Sequence, residues 1–329
     1  KMSKDISNGK KATDFADAVK GLLGLNGMYS AIQHFNPRVR TSVISRYESS
    51  YNSQSNEKIK EYTDIIDRCN TEIKQIDERI EELDSEIEMA TIRKNEKIKE
   101  LKPDVIVVVA FGQILSQEIL DIPQYGSINV HGSLLPKYRG AAPIQWSIIN
   151  GDNVTGITTM YMDAGMDTGD MIQKYEINIE ENDTYGTLYE KMKILGGKAI
   201  VETLEKVADG TVQRKKQPDE YSIAKMIEKE MGEIDWNKSS KDIRNLIRGF
   251  NPMPGAYTIL KDNTKMKVWM AEFSDIVAEN EVAPGTFIIA DSKRGLFVKT
   301  GDGVLELTEI QMPNLKRMSA KEYLRGHTI

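Results

Sequence analysis

Cysteine, histidine and long apolar runs are all scarce in this chain of 329 residues, which has one cysteine and three histidines. A single cysteine, Cys69, excludes an internal disulfide and is typical of a reducing compartment. Because these residues lie far apart in the sequence, they cannot form a Cys/His zinc cluster, and no metal is expected. The longest apolar run, residues 105–110, is far shorter than the roughly 18 residues of a membrane span, so no membrane partner is expected.

An excess of basic residues is also missing, since 44 Lys and Arg stand against 50 Asp and Glu, for a net charge of −6. This balance argues against a generally basic nucleic-acid coat but is compatible with a local basic patch. The first residues, KMSKDISNGKK, carry charge without the apolar stretch of a signal peptide. We therefore expect a soluble, cytoplasmic protein of about two domains or three small ones, on the usual relation of length to domain number.

Residues 1–95 predict helices and no strand. Helices are expected over residues 14–25 and 29–51, with breaks near residues 24–27 and at Asn36-Pro37. From Ile59 onward, apolar residues recur at alternating spacings of three and four, the pattern of a coiled-coil seam. Its a positions hold Ile59, Ile66, Ile73, Ile80 and Ile87, and its d positions hold Tyr62, Cys69, Ile76, Leu83 and Ala90. Two interpretations follow, a helical hairpin within the chain or a homo-oligomer formed through residues 59–90. In either one Cys69 is a small core residue rather than a reactive thiol.

Strands and helices alternate from about residue 96, which predicts a mostly parallel sheet. Predicted strands cover residues 105–110, 127–130, 157–162 and 171–177, and a long amphipathic helix covers residues 184–208. Past Gly210, short alternating runs separated by Gly, Asp and Asn predict a small antiparallel β-barrel. The expected fold class is therefore α/β with a parallel sheet, an N-terminal coiled coil and a C-terminal barrel. The expected domains are residues 1–95, 96–208 and 209–329.

The stretch SINVHGSLLPKYRG, residues 127–140, contains the best candidates for catalysis. Asn129 and His131 are two residues apart, so an extended chain directs both side chains to the same side. An amide donor and an imidazole aimed at one point can stabilise an oxyanion and move a proton. Asp167, in the Gly-rich loop MDAGMDTGD, can hold the imidazole tautomer. The alternatives are that Asn129 and His131 are structural and that Asp167 only caps a turn.

Several motifs from about residue 96 to the C-terminus resemble those of the methionyl-tRNA formyltransferases. They are LKPDVIVVVAFGQIL, INVHGSLLPKYRGAAPIQWSI, TTMYMDAGMDTGDM, IDW, IRGFNPMPGAYT, TGDGVLELTEIQ and KRMSAKEYLRGH. The set of Asn129, His131, SLLP and Asp167 is shared by the wider folate-dependent formyltransferases, and Gly132 is typical of the branch that acts on tRNA. The C-terminal motifs narrow the resemblance further, although sugar-nucleotide formyltransferases share part of the first of them.

The resemblance implies transfer of a formyl group from 10-formyltetrahydrofolate to the α-amine of initiator Met-tRNA. Asn129 and protonated His131 would stabilise the oxyanion, and Asp167 would orient His131 and assist proton transfer. Folate-pocket positions of the family are matched by Phe111, Gly112, Gln113, Ile114, Leu115, Ser133, Leu134, Leu135, Pro136 and Asp163. Contacts to tRNA are expected from Lys137, Arg139, Arg248, Lys316, Arg317 and Arg325, with anchoring of a loop as the alternative for Arg248.

One departure from the family is large. Its opening strand with a Gly-Thr-Pro motif, two further strand-helix units and a loop that grips the tRNA acceptor end have no counterpart, and the helical residues 1–95 stand in their place. Three strands of the family's sheet would therefore be lost, and the sheet edge and face that this exposes must be protected in another way. A catalytically inactive oligomerising or tRNA-binding scaffold, and a sugar-nucleotide formyltransferase, are the alternative functions.

Overall fold

The computed structural model describes residues 53–112, 115–279 and 281–329, and the chain divides into two units between Thr91 and Ile92. The helices predicted over residues 14–25 and 29–51 lie outside the described residues. Within the described ranges, no helix combines the length and the apolar character that crossing a membrane requires.

The heptad-bearing segment is a single helix, α1 (Ser53–Leu101), of 49 residues. Most of its described seam is exposed, with 45% of Ile66 and 58% of Ile76 accessible. Cys69 is exposed as well, so the expectation that it is a core residue is wrong for the chain taken alone. A coiled coil needs a second helix against the seam. The helix itself is therefore confirmed, and the coiled coil stays a prediction.

A sheet of four strands follows α1, in the spatial order β1–β2–β4–β5. The strands are β1 (Ile106–Val109), β2 (Ser127–His131), β4 (Val154–Tyr161) and β5 (Met171–Asn178). Only β1 and β2 are parallel, while β2 with β4 and β4 with β5 are antiparallel. The prediction of a mostly parallel sheet is thus wrong. The short loop of residues 162–170 reverses the chain between β4 and β5, whereas a parallel crossover needs about a dozen residues or more.

Five shorter or connecting elements complete this part of the chain. They are α2 (Gln117–Leu120), β3 (Arg139–Gly140), α3 (Pro143–Ile149), α4 (Tyr185–Ala208) and β6 (Ile223–Ala224). Helix α4 begins after Thr184, whose side chain accepts a hydrogen bond from the Thr187 N–H. Its apolar face packs on the sheet through Leu188, Met192 and Ala199, which cluster with Val130 and Ile157. This packing buries one face of β2 and β4.

Strand β1 lies at the edge of this sheet, since β2 is its only recorded partner among the described residues. Two of its valines are exposed, Val107 at 38% and Val109 at 58%. Among the described residues, this edge and the side chains of the two valines are thus exposed.

The C-terminal part consists of helix α5 and a second, antiparallel sheet. Its elements are α5 (Ser240–Gly249), β7 (Ala256–Ile259), β8 (Lys265–Phe273), β9 (Phe287–Asp291), β10 (Gly295–Lys299), β11 (Val304–Gln311), β12 (Met318–Ser319) and α6 (Ala320–Tyr323). The strand order is β7–β8–β11–β10–β9, with β12 paired to β11. Ile243, Ile247 and Phe250 of and after α5 pack into its core. The antiparallel strands agree with the prediction, while closure into a barrel stays a prediction.

Candidate functional site

The carboxyl end of β2 places Asn129 and His131 on the same side of the sheet. Strand β2 lies between β1 and β4, so backbone pairing on both sides fixes the directions of its side chains. His131 is buried, with 5% of its surface exposed, and Asn129 is half-buried. The structure therefore holds the imidazole rigidly and leaves the neighbouring amide partly accessible.

The carboxylate of Asp167 lies between these two side chains. Asn129 Nδ2 donates to Asp167 Oδ1 at 3.2 Å, and His131 Nδ1 lies 3.5 Å from Asp167 Oδ2. Oδ2 also accepts a hydrogen bond from the Gly140 N–H at 2.8 Å. Asp167 has a φ of 53°, the left-handed region that non-glycine residues rarely adopt, and such strain concentrates at functional sites. The structure thus brings together the three residues that the sequence predicts as catalytic.

The two ring nitrogens of His131 have different partners. Nε2 lies 2.8 Å from the main-chain carbonyl oxygen of Tyr138. A carbonyl can only accept, so Nε2 carries the hydrogen and a neutral ring has its lone pair on Nδ1. Because Nδ1 faces Asp167, it is the position at which the ring can gain a proton and share it with the carboxylate. Tyr138 therefore sets the tautomer, and Asp167 faces the nitrogen that carries no hydrogen in the neutral ring.

The loop between β2 and β3 is fastened to β4 through Thr158. The Thr158 hydroxyl donates to the Ser133 carbonyl at 2.6 Å and accepts from the Leu135 N–H at 3.0 Å. The Ser133 hydroxyl is buried and donates to the Lys137 carbonyl within the same loop. Leu135 is fully buried with Met160 and Met171. These contacts give the loop the fixed shape that a ligand-binding loop needs.

A second support, which the sequence analysis missed, comes from residues 217–224. Gln217 Nε2 donates to the carbonyls of Asp167 at 2.7 Å and Gly169 at 2.9 Å, and its Oε1 accepts from Arg139 Nε at 2.9 Å. Strand β6 pairs with β3, and a Cβ on Gly140 would lie 2.7 Å from the Ala224 carbonyl oxygen. The segment lacks strong periodicity, so no sequence signal marked Gln217.

The residues predicted to bind folate do not form one side-chain cluster. Leu115 is buried with Val108 and Ile119, apart from the cluster that contains Leu135. Phe111 and Gly112 are exposed, Leu134 and Pro136 are half-buried, and Gln113 and Ile114 lie outside the described residues. Asp163 is exposed and accepts hydrogen bonds from the Gly165 N–H and the Thr168 hydroxyl, which makes it a turn-forming residue.

Two of the residues predicted to contact tRNA flank the site and have partners within the protein. Lys137 is exposed and its Nζ donates to both oxygens of Asp152, at 2.7 and 2.8 Å. Burial alone would lower the pKa of Lys137, but the hydrogen bond to Asp152 outweighs it, so this pKa lies above its ordinary value. Arg139 is buried, bonded to Gln217 and stacked 4.5 Å from the Tyr221 ring. The buried guanidinium does not suit a surface phosphate contact.

Arg248, a further predicted tRNA contact, is bonded within the protein. It is buried, and its guanidinium donates to the carbonyls of Asp183 and Glu180 and to Asn245 Oδ1. Burial lowers the pKa of Arg248, and the nearby charge of Arg244 lowers it further. Since its donors are used in holding the loop before α4, the loop-anchor alternative describes Arg248. A contact of Arg248 with tRNA stays a prediction.

The remaining basic residues of this set are at the surface of the C-terminal part. Lys316, Arg317 and Arg325 are exposed, and Arg317 pairs with Glu309 and with Asn251 Oδ1.

Across the described ranges, no group of three or more His, Cys, Asp and Glu side chains offers a metal site.

Comparison with known proteins identifies relatives for nearly the whole described chain. Residues 41–204 match the family model described as formyl transferase, and residues 226–328 match the formyl transferase C-terminal domain. The first match begins at residue 41, whereas the motifs described in the sequence analysis begin at about residue 96. A methionyl-tRNA formyltransferase of Clostridioides difficile (strain 630) is 55% identical over 235 residues, which cover 71% of this chain and 75% of the relative.

Two solved structures share the fold at lower identity. HypX from Aquifex aeolicus, crystallised in complex with tetrahydrofolic acid, is 18% identical with a TM-score of 0.54, and the match covers 70% of this chain and 40% of that one. The sugar 3N-formyl transferase WlaRD, crystallised with dTDP and 5-N-formyl-THF, is 23% identical with a TM-score of 0.51, and the match covers 66% of this chain and 77% of that one.

Proposed function

The chain belongs to the methionyl-tRNA formyltransferase family of enzymes, and from this premise we propose that it transfers a formyl group from 10-formyltetrahydrofolate to the α-amine of initiator Met-tRNA. The observation that carries the proposal is the position of Asp167 between Asn129 and His131. One carboxylate within reach of an amide donor and an imidazole suits an addition in which negative charge develops on one atom while a proton leaves another.

Formyl transfer needs two changes of bonding at the formyl carbon. The amine nitrogen adds to this carbon, the carbonyl oxygen becomes an oxyanion, and the bond to the donor nitrogen then breaks. A proton passes from the attacking amine to the departing nitrogen, so the overall charge is balanced. The donor supplies the activated formyl group when bound, and the protein has to hold both reactants, stabilise the oxyanion and relay the proton.

Asn129 and His131 are assigned to the oxyanion and Asp167 to the proton. The Asn129 amide has two hydrogens, of which one is used on Asp167, and the other remains for the oxyanion. His131 gains a proton on Nδ1 next to the Asp167 carboxylate and contributes positive charge to the site. Asp167 orients the ring and, through it or directly, accepts the proton of the attacking amine.

The folate donor is assigned to the loop that follows β2 and to the turn after β1. The Leu135 N–H is already bonded to Thr158, Pro136 has no N–H, and the Leu135 side chain is buried in the core, so the hydrogen-bond donors assigned to the ligand are the N–H groups of Ser133 and Leu134. Exposed Phe111 offers an aromatic surface next to Gly112 at the end of β1. An exposed aromatic ring and main-chain hydrogen-bond donors suit a flat ring system that contains an amide. Asp163 shapes the turn between β4 and β5.

The tRNA is assigned to the basic surface of residues 209–329 together with Lys137. Lys316, Arg317 and Arg325 are exposed there, and phosphate contacts of this kind position a nucleic acid without reading its sequence. The proposed domains are residues 1–95 for self-association, 96–208 for catalysis and 209–329 for tRNA.

The acceptor is tested by comparing initiator Met-tRNA with a dTDP-linked amino sugar in the presence of 10-formyltetrahydrofolate. Transfer to the charged tRNA is the expected result. Transfer to the amino sugar alone would assign the chain to the sugar-nucleotide branch, which the second solved structure represents.

A scaffold without catalytic activity is the second candidate, and the exposed edge strand β1 and the exposed seam of α1 favour it. Under this alternative, the chain binds tRNA and self-associates, and formyl transfer is absent with both acceptors.

A further inference from the structure

The exposed seam of α1 is an interaction surface that the proposed reaction does not use. Tyr62, Ile66, Ile76, Leu83 and Ile87 are each at least 39% exposed, and all lie on the a and d positions of one heptad pattern. A contiguous apolar stripe of this length on one helix face marks a protein-binding surface. The occupant that this seam fits is a second copy of itself, because the same spacing of apolar residues occurs on both helices.

We propose that two copies of α1 pair antiparallel, with the centre of the pair between Lys74 and Gln75. In this register each a residue meets a d residue of the other copy, so the seam closes along its whole length. The layers between described side chains pair Ile66 with Leu83, Ile73 with Ile76, Ile80 with Cys69, and Ile87 with Tyr62. Small Cys69 is thereby covered by isoleucine. A parallel pair would instead stack Ala90 on Ala90 and Tyr62 on Tyr62.

Charges beside the seam favour the antiparallel arrangement. In an antiparallel pair the g positions face each other, which brings Glu72 to Arg79 of the other copy on both sides of the centre. The facing e positions then hold Asn70 with Asp77, and Thr63 with Asp84, so no like charges meet. Within one copy Arg79 pairs with Glu82 and Glu86, which places its guanidinium on this flank of the helix.

The parallel pair is less favourable by the same rule. Its g positions face e positions of the next heptad, so Arg79 meets Asp84 but Glu72 meets Asp77. Two attractive contacts are then offset by two repulsive ones. An antiparallel pair shifted by one heptad either way places Glu72 against a glutamate, Glu72 itself or Glu86, and loses apolar layers. Charge and seam length therefore select the same register.

The mass of the full chain in solution is the first test. We expect a dimer by light scattering, with Ile80→Asp in the seam giving a monomer. Ser85→Asp introduces the same side chain on the outer face of the helix and leaves the dimer intact. A monomeric wild-type chain would overturn the proposal.

The orientation is tested by oxidative cross-linking, for which Cys69 is the natural probe. An antiparallel pair holds the two Cys69 residues 11 positions apart along the axis, about 16 Å at 1.5 Å per residue, so the wild-type dimer does not cross-link. Ile80→Cys places a second thiol opposite Cys69 and gives a covalent dimer, whereas Cys69→Ser combined with Ile80→Cys gives none. A covalent wild-type dimer, or one in the combined variant, would show the parallel arrangement and overturn the proposed register.

Discussion

Gln217 holds the main chain of Asp167 from a distance of 50 positions, with its Nε2 2.7 Å from the Asp167 carbonyl oxygen. The same nitrogen donates to Gly169, and the amide oxygen accepts from Arg139 at the start of β3. One side chain thus connects the two loops that carry the carboxylate and the Gly140 N–H that binds it. Gln217 touches none of the proposed reacting groups and acts as a positioning residue.

Gln217→Glu should lower kcat because it removes the donor to two carbonyls and loosens the loop of Asp167. Misplacement of a catalytic group by about 1 Å costs on the order of 10²-fold in rate, and a fall of this order is expected with little change in KM. The control is a double variant with Asp167→Asn, which should be no slower than Asp167→Asn alone because both act on one group. If the double variant instead lost kcat by the product of the two single losses, the positioning role of Gln217 would be contradicted.

Asp167→Asn should reduce kcat by about 10²–10⁴-fold, the usual contribution of a positioned acid or base. The side chain keeps its shape and can still face Asn129 and the Gly140 N–H, but it no longer carries the charge that pairs with His131. Steady-state formylation of Met-tRNA measures the effect. Asp170→Asn, in the same loop, is the matched control and should retain near wild-type kcat. Equal rates for the two variants would remove Asp167 from the mechanism.

Arg248→Ala should destabilise the fold rather than weaken tRNA binding. The buried guanidinium satisfies the Asp183 and Glu180 carbonyls, and each carbonyl left without a donor lowers the free energy of unfolding by about 1–3 kcal/mol. Denaturant unfolding measures this loss. Exposed Lys316 is the control, since Lys316→Ala should leave the unfolding free energy unchanged. It should also reduce, by about one, the slope of the logarithm of the tRNA-binding constant against the logarithm of salt concentration. The reverse pattern would restore Arg248 as a tRNA contact.

Asp183 should give the protein a component of stability that acid removes. Burial alone would raise the pKa of the Asp183 carboxyl, but hydrogen bonds from Lys191, the Glu180 N–H and Thr187 bring it below its ordinary value. A lowered folded-state pKa stabilises the protein above the unfolded pKa, about 3.8 to 3.9, and this contribution disappears as the pH falls through the folded pKa. The unfolding free energy of wild type should therefore decrease more steeply below pH 4 than that of Asp183→Asn. Parallel curves for the two proteins would contradict this.

Much of the architecture is encoded locally and was predictable. The heptads of α1, the alternation within β2, the Thr184 cap of α4 and the alternating runs of the C-terminal sheet all depend on neighbours in the sequence. Asn129 and His131 could be placed together because a strand alternates its side chains, whatever the sheet around it.

The parts that escaped prediction depend on contacts between distant segments. The antiparallel pairing of β2 with β4 depends on the path of the chain through β3 and α3, and local periodicity does not report strand direction. Arg139 bonds Gln217, 78 positions away, and Arg248 bonds Asp183, 65 positions away, while Asp183 itself is bonded to Lys191 of α4. Local sequence patterns do not show such distant partners, so a basic residue in a motif is predicted as a phosphate contact even where it is bonded within the protein.

The most direct test of the account is the rate of formyl transfer from 10-formyltetrahydrofolate to initiator Met-tRNA by the full chain and its His131→Ala variant. The account predicts transfer by the wild-type chain and a loss of about 10²–10⁴-fold in the variant, because the imidazole between Tyr138 and Asp167 is lost. Full activity in the variant would contradict the catalytic assignment of Asn129, His131 and Asp167. Absence of transfer by a folded wild-type chain would contradict the proposed function and favour the scaffold.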